Sequence, residues 1–211
     1  MMGKLTAEAI VERALEIGDA EGLDAVTIRR LATDLGVTPM ALYWHFKNKE
    51  QLITGMADHL IVGFTPKADG RPWNEQLSDL LRGLIRVLRR YPCAKDVLGQ
   101  VDHSSLPSFL RVWDQAVGLA RQGGFDPDES CLISKYLLQS AIAIAGGIHH
   151  KDTDERLREK RIAMQSLSPE EYPYLVEMAR PLAEGVPAEL YDGFGVDLII
   201  AGIVAMAGSR A

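Results

Sequence analysis

Thr27-Ile28-Arg29-Arg30-Leu31-Ala32-Thr33-Asp34-Leu35-Gly36-Val37-Thr38-Pro39-Met40-Ala41-Leu42-Tyr43-Trp44 is the stretch on which the fold of this chain turns. Ile28, Leu31, Ala32 and Leu35 recur at helical spacing, Arg29 and Arg30 face the other way, and Thr27 stands where an N-cap belongs. Gly36 ends that helix and can take the positive φ of a sharp turn. Thr38-Pro39 then reads as the N-cap and first position of a further helix, because proline there gives up only a donor that the helix leaves unpaired. This helix is expected to run from Pro39 to about His45, with Leu42 inward and Thr38, Met40, Tyr43 and Trp44 outward. Ala32 is small enough to let the two helices approach. Short helices across a tight glycine turn are the geometry of a helix-turn-helix, whose later helix enters the DNA major groove.

Working outward, Thr6 to Glu21 reads as an amphipathic helix with Ile10, Ala14 and Ile17 on one stripe, ended by Gly22. Asn48, with Gln51 three residues on, resembles a capping box that opens a fourth helix through Leu52, Met56 and Leu60 to about Phe64. Thr65 to Pro72 carries two prolines and a glycine and is the expected boundary between two lobes, 1–64 and 65–211. Beyond it, Leu77, Leu80, Leu81, Leu84 and Leu88 form a helical stripe opposed by Arg82, Arg86 and Arg89 and stopped by Tyr91-Pro92, with Arg82 and Arg86 read as solvated surface. Pro107 to Arg121 is another helix, closed by Gly123-Gly124. Asp128 to Gly147 and Pro187 to Ala207 are apolar around much of their circumference, so they are expected to be buried on more than one side. Lys151 to Arg161 is charged and solvated, and Ser168 to Leu182 reads as one surface helix interrupted by Pro173 and Pro181. No strand and no repeat is evident. The expected fold is all-α: an N-terminal three-helix DNA-binding domain and a larger helical domain for ligand binding and dimerisation.

The 211 residues, 47% of them apolar and 25% charged, suffice for a substantial core. The longest apolar run, Leu198 to Gly208, falls short of the roughly 20 residues that cross a bilayer. Cys93 and Cys131 make neither a disulfide framework nor a metal-ligand spacing, and a cytoplasmic location with no membrane partner is expected. A net charge of -6 excludes bulk attraction to nucleic acid, so any contact with DNA must be local. Residues 1–60 carry six basic side chains against nine acidic ones, and four of the six lie between Arg29 and Lys49.

The residues of the opening stretch, with Ala41-Leu42-Tyr43-Trp44-His45-Phe46-Lys47-Asn48-Lys49 after them, resemble the DNA-binding signature of the TetR family of transcriptional regulators over about residues 6 to 62. Leu-Tyr-Trp-His followed by Lys-Asn-Lys is more similar to the tetracycline-repressor subgroup than to the family at large, and Phe194 to Gly202 resembles that subgroup's final helix. The resemblance implies a homodimeric repressor released from a palindromic double-stranded operator by a small-molecule effector. It also implies that Thr27, Tyr43 and Lys49 contact phosphates and position the protein, Lys49 helped by the positive end of the fourth helix. Arg29, Thr38, Pro39, Met40, Trp44 and His45 are the corresponding contacts in the groove, Arg29 being able to pair with guanine. Pro39-Met40-Ala41 replaces a Gln-Pro-Thr run of the tetracycline repressors, which implies a different operator, with apolar contact to a thymine methyl. Phe46 is expected to be core.

In the second lobe the resemblance implies an effector cavity, and Phe64, Tyr91, His103, Phe109, Trp113, Gln139 and Ile142 are the residues expected to line it. Phe64 and Tyr91 stand about where the tetracycline repressors carry magnesium-drug histidines, so no metal and no cofactor is expected and the effector is read as apolar or aromatic. His103 and His149-His150 are read as histidines bonded to nearby carbonyls. An enzyme with His103 or His149 as acid or base lacks a nucleophile motif, a phosphate loop or paired carboxylates. A helix-turn-helix that binds protein is the other alternative.

Overall fold

In a computed structural model, residues 5–62, 64, 69–147 and 154–209 are described. His149 and His150 lie outside them. Among the described residues there is no strand, and the elements in order are α1 (Ala7–Glu21), α2 (Ile28–Asp34), α3 (Pro39–Tyr43), α4 (Lys49–Val62), α5 (Trp73–Arg90), α6 (Ala94–Gly99), α7 (Pro107–Gln122), α8 (Pro127–Gly146), α9 (Asp154–Gln165), α10 (Pro173–Glu177), α11 (Ala179–Glu184) and α12 (Ala188–Gly208), with single 3-10 turns at Leu23–Ala25 and His103–Ser105. The all-α architecture is the one the sequence implies.

The N-terminal helices begin where their polar caps stand. The side-chain oxygens of Thr6, Thr27 and Thr38 accept from Ala9, Arg30 and Ala41 N–H groups. Ile10, Ala14, Leu15 and Ile17 of α1 then pack with Leu31 and Ala32 of α2, Leu42 of α3 and Leu52 and Met56 of α4 in one core, in which Phe46 is also buried. α2 ends one residue before Leu35, which caps it. Gly36 follows at φ 66°, with its N–H on the Thr33 carbonyl and the Val37 N–H on Ala32. These paired bonds are a Schellman ending, and they aim the chain into α3. α3 is shorter than expected: it stops at Tyr43, because the Leu42 carbonyl is taken up by the N–H groups of His45 and Phe46 in a turn.

Hydrogen bonds join this lobe to the rest, among them one from Cys93 Sγ to the Leu15 carbonyl at 3.8 Å. Asp19 of α1 accepts the Cys93 N–H at 2.8 Å, and Asp58 of α4 accepts the Ser108 N–H at 3.3 Å. The second lobe is built on α5, α7 and α8, whose inward stripes (Leu77, Leu80, Leu84; Val112, Ala116, Leu119; Ile133, Leu137, Ala141) form its core. α8 starts at Pro127 under a full capping box between Asp126 and Glu129, a residue earlier than the apolar pattern suggests.

Three expectations are corrected. The chain between Pro92 and Pro107 contains α6 and a 3-10 turn that the sequence reading left unassigned; α6 has six residues, too few to display a period. Ser168 to Leu182 is two short helices instead of one interrupted helix, since Pro173 starts α10 and the chain re-caps at Met178. α12, expected to be buried on several sides, has Val196 as its one buried residue among those described. Its 21 residues are long and apolar enough to cross a membrane by length and composition, which the shorter run of consecutive apolar residues did not suggest.

Candidate functional site

The nine residues expected to meet DNA are all exposed: Thr27, Arg29, Thr38, Pro39, Met40, Tyr43, Trp44, His45 and Lys49. Large apolar side chains are normally hidden, yet Met40 is 67% and Trp44 85% exposed, with Tyr43 at 47% beside them. Leu42 and Phe46, on the other side of the same turn, are buried. Pro39 sets the first turn of α3, so these side chains project from a helix start fixed by the Thr38 cap.

The polar members are prepared for donation. Thr27 and Thr38 use their side-chain oxygens as acceptors for their own helices, which leaves each hydroxyl hydrogen free to donate. The Arg29 guanidinium makes no ion pair among the described residues. Arg30, expected to face outward, is instead committed: it bonds Glu21 at 2.8 Å and Asp34 at 3.1 Å, while Arg13 reaches the same Asp34 at 2.7 Å. These bonds, that from Arg13 first, hold the Asp34 carboxyl below its usual 3.8 against the opposing effect of burial. The network ties α2 to α1 and sets apart Arg29 as the free cation of that helix. Lys49 donates to the Leu23 carbonyl at 2.9 Å, which anchors the start of α4 to the turn that precedes α2. Asn48 caps that start as expected, accepting from Gln51 N–H, and only the reciprocal bond is shifted by one residue, the Gln51 side chain accepting from Lys47 N–H.

In the second lobe a cavity of about 150 Å³ lies among α5, α7 and α8. Of the seven residues expected to line it, His103, Phe109 and Trp113 do so together. The His103 ring stacks on Phe109 with centroids 4.5 Å apart, and Phe109 meets Trp113 edge to face at 5.9 Å. His103 Nε2 lies 3.0 Å from the Leu98 carbonyl, so in the neutral ring Nε2 carries the hydrogen and Nδ1 is left to accept. Trp113 donates to the Ser134 hydroxyl at 2.8 Å, and the Ser134 hydroxyl in turn donates to the Cys131 carbonyl at 2.7 Å. The walls are otherwise apolar, with Lys135 as the charged residue of the lining.

The other four lie elsewhere. Gln139 is exposed, because α8 turns its 130, 133, 134, 137, 141 stripe inward and residue 139 falls on the opposite side with Leu132 and Tyr136. Tyr91 and Ile142 are half-buried against the core and do not line the cavity. Phe64 lines a different, polar cavity with Arg82 and Arg86, of which Arg86 is exposed as expected and Arg82 is half-buried and paired with Asp197. Ser134 and Lys135 were missed. The one available signal was a serine on the inward stripe of an apolar helix, since a buried hydroxyl needs a partner. Among the described residues no group of histidine, cysteine and carboxylate side chains is arranged to hold a metal. Cys93 is buried, and that burial pushes its thiol up to about 12.

Compared with known proteins, residues 10–56 match the profile of bacterial regulatory proteins, tetR family, and residues 65–207 match that of the tetracyclin repressor-like C-terminal domain. The chain belongs to the TetR family. Its helix-turn-helix and larger helical domain are those of that family. The class C tetracycline repressor protein of Escherichia coli is 47% identical over 94 residues, 43% of this chain and 42% of its own length. The HTH-type transcriptional repressor DrrR1 of Streptomyces coeruleorubidus is 34% identical over 90 residues, 42% of this chain and 33% of its own length. The match thus spans less than half of these curated relatives. Among solved structures, the TetR family protein ActR of Streptomyces coelicolor in complex with actinorhodin superimposes with a TM-score of 0.80 at 26% identity, over 98% of this TetR-family chain and all of that one.

Proposed function

We propose that this TetR-family protein is a DNA-binding transcriptional repressor, a homodimer that grips a palindromic operator and is released by a small molecule bound in its second lobe. One observation carries the reading: Met40, Tyr43 and Trp44 stand exposed on a rigidly capped helix beside an unpaired Arg29. Apolar groups displayed this way lose free energy in water and regain it against base edges and thymine methyls. Thr27, Tyr43 and Lys49 serve as phosphate contacts, and Arg29, Thr38, Pro39 and His45 complete the groove-facing set with Met40 and Trp44.

Twofold symmetry is supported by the outer faces of α8 and α12. Leu132 and Tyr136 on α8, and Leu190, Phe194 and Leu198 on α12, are all more than half exposed. The inner side of α12 is pinned to α5 by Arg82–Asp197 and Arg89–Asp192 ion pairs, so its apolar side faces away from the chain's own core. A second copy, packing the same two helices into a four-helix bundle, would cover it. We prefer this to a membrane span because the charges of α12 are already matched to a helix of the same chain.

The effector is read as an aromatic or largely apolar compound, stacking with Phe109 and Trp113 and donating to His103 Nδ1. ActR in complex with actinorhodin supports a small-molecule effector in this architecture. His103 is a binding group in this reading and no chemical step is assigned to it. A protein that acts on chromosomal DNA works in the cytoplasm.

The test is binding of the purified protein to DNA from its own upstream region at fixed salt, against scrambled DNA. Specific binding to a palindromic site, weakened by an aromatic effector, supports the proposal. A folded dimer that binds both DNAs alike would overturn it.

A further inference from the structure

The walls of the aromatic cavity hold few polar side chains, His103, Trp113, Ser134 and Lys135, and two of them are spent within the protein. Trp113 gives its single N–H to the Ser134 hydroxyl, and that hydroxyl gives its only hydrogen to the Cys131 carbonyl. Neither has a hydrogen left to offer a ligand. His103 is half spent. Its Nε2 holds the Leu98 carbonyl at 3.0 Å, and in the neutral ring Nδ1 is an acceptor without a partner among the described residues.

Lys135 is the group left over. It follows Ser134 on α8, is exposed, and makes no ion pair among the described residues. An exposed lysine that lines an apolar cavity does so with its methylene stem and keeps its ammonium at the mouth. Among the described residues no carboxylate lines the cavity with it. Asp102, beside His103 in sequence, is engaged by its own turn, where Oδ1 accepts the N–H and the hydroxyl of Ser104 at 2.9 and 2.8 Å.

We propose that the effector is an aromatic acid: its ring lies against Phe109 and Trp113, its carboxylate pairs with Lys135 at the mouth, and a hydroxyl on the ring donates to His103 Nδ1. This rests on the reading of the cavity as the effector site and adds the sign of the effector's charge. A cationic compound would meet the ammonium of Lys135 with no carboxylate in the lining to offset it. A neutral one would gain little from an ammonium that water already satisfies. An anion gains a charge-assisted hydrogen bond at the edge of an apolar wall, where the dielectric is lower than in bulk water. The chain carries a net charge of -6 and so has no general attraction for anions, which makes the preference depend on this one lysine.

The experiment is a calorimetric titration of the full chain without DNA, at one fixed low ionic strength, with 6-hydroxy-2-naphthoate, its neutral amide, and 2-naphthoate. We expect the hydroxy acid to bind about tenfold more tightly than the amide, and 2-naphthoate, which lacks the donor for His103, to bind more weakly than the hydroxy acid. Lys135→Met keeps the apolar stem at an exposed position and should bring the acid to the affinity of the amide. Added salt should narrow the gap in the unsubstituted protein, as it does for a charge pair at a surface. Equal binding of acid and amide, or a preference for the acid that survives in Lys135→Met, would overturn the proposal while leaving the cavity as an aromatic site. Binding of none of the three would overturn the proposal together with the effector reading of the cavity. Since no operator is present, each outcome is independent of whether the protein binds DNA.

Discussion

Trp44 has the highest exposure among the large apolar side chains of the described residues, at 85%, and its removal separates DNA reading from folding. Trp44→Ala should leave stability within about 0.5 kcal/mol, as exposed substitutions do. It should weaken operator binding by roughly tenfold or more, an effect measured by titration of labelled operator. Lys49→Ala should instead weaken binding to all sequences alike and lower the slope of log K against log salt by about one. Asp34 gives a prediction in pH. Its folded pKa lies below the usual 3.8, so the stability it contributes is fully present above about pH 4 and is lost as pH falls through the lower folded value. Asp34→Asn should therefore flatten the acid limb of a melting-temperature profile, and an unchanged limb would remove the Arg13–Asp34–Arg30 network from the account. At this scale the sequence was legible where a residue's own chemistry decides its place. Thr27 and Thr38 as caps, Pro39 at a helix start and Gly36 at a positive φ follow from side-chain oxygen, ring or missing Cβ. Arg29 and Arg30 are adjacent and chemically identical, and their different fates depend on Glu21 and Asp34, which the chain brings up only on folding.

Among elements, the turn between α2 and α3 controls the aim of α3. Gly36→Ala forces a Cβ into φ 66° and should cost about 1–2 kcal/mol, read from denaturant unfolding. Since the Schellman bonds from Gly36 and Val37 go with that geometry, the same variant should lose DNA affinity beyond what its unfolded fraction explains. The long helices were readable because an apolar stripe of several turns repeats its own signal, as in α1 and α5. α6, α10 and α11 have five or six residues each and exist because neighbours hold them. α8 shows the limit of a stripe. Its composition marks it as a core helix, yet which of two apolar sides faces its own lobe decides whether Ser134 or Gln139 meets the cavity, and both sides of α8 carry apolar residues.

For the whole molecule, the exposed side of α12 is the feature a single chain cannot account for. Phe194→Asp should convert the proposed dimer to monomer in sedimentation or light scattering with little loss of helix, and it should abolish tight operator binding, since in that proposal each head alone reads half a site. A Phe194→Asp protein that stays dimeric would move the interface off α12. The all-α class, the helix-turn-helix with its Met40-Tyr43-Trp44 face and the TetR-family resemblance were determined by the sequence alone, because they rest on local periodicity, capping and contiguous residues. Tertiary structure alone decided which side chains share a cavity. His103, Phe109 and Trp113 meet because a 3-10 turn and α7 fold back together, while Phe64 joins Gln76, Arg82 and Arg86 of α5 and Gln115 of α7 around one cavity. Such assemblies depend on contacts between residues distant in sequence, which no local period records.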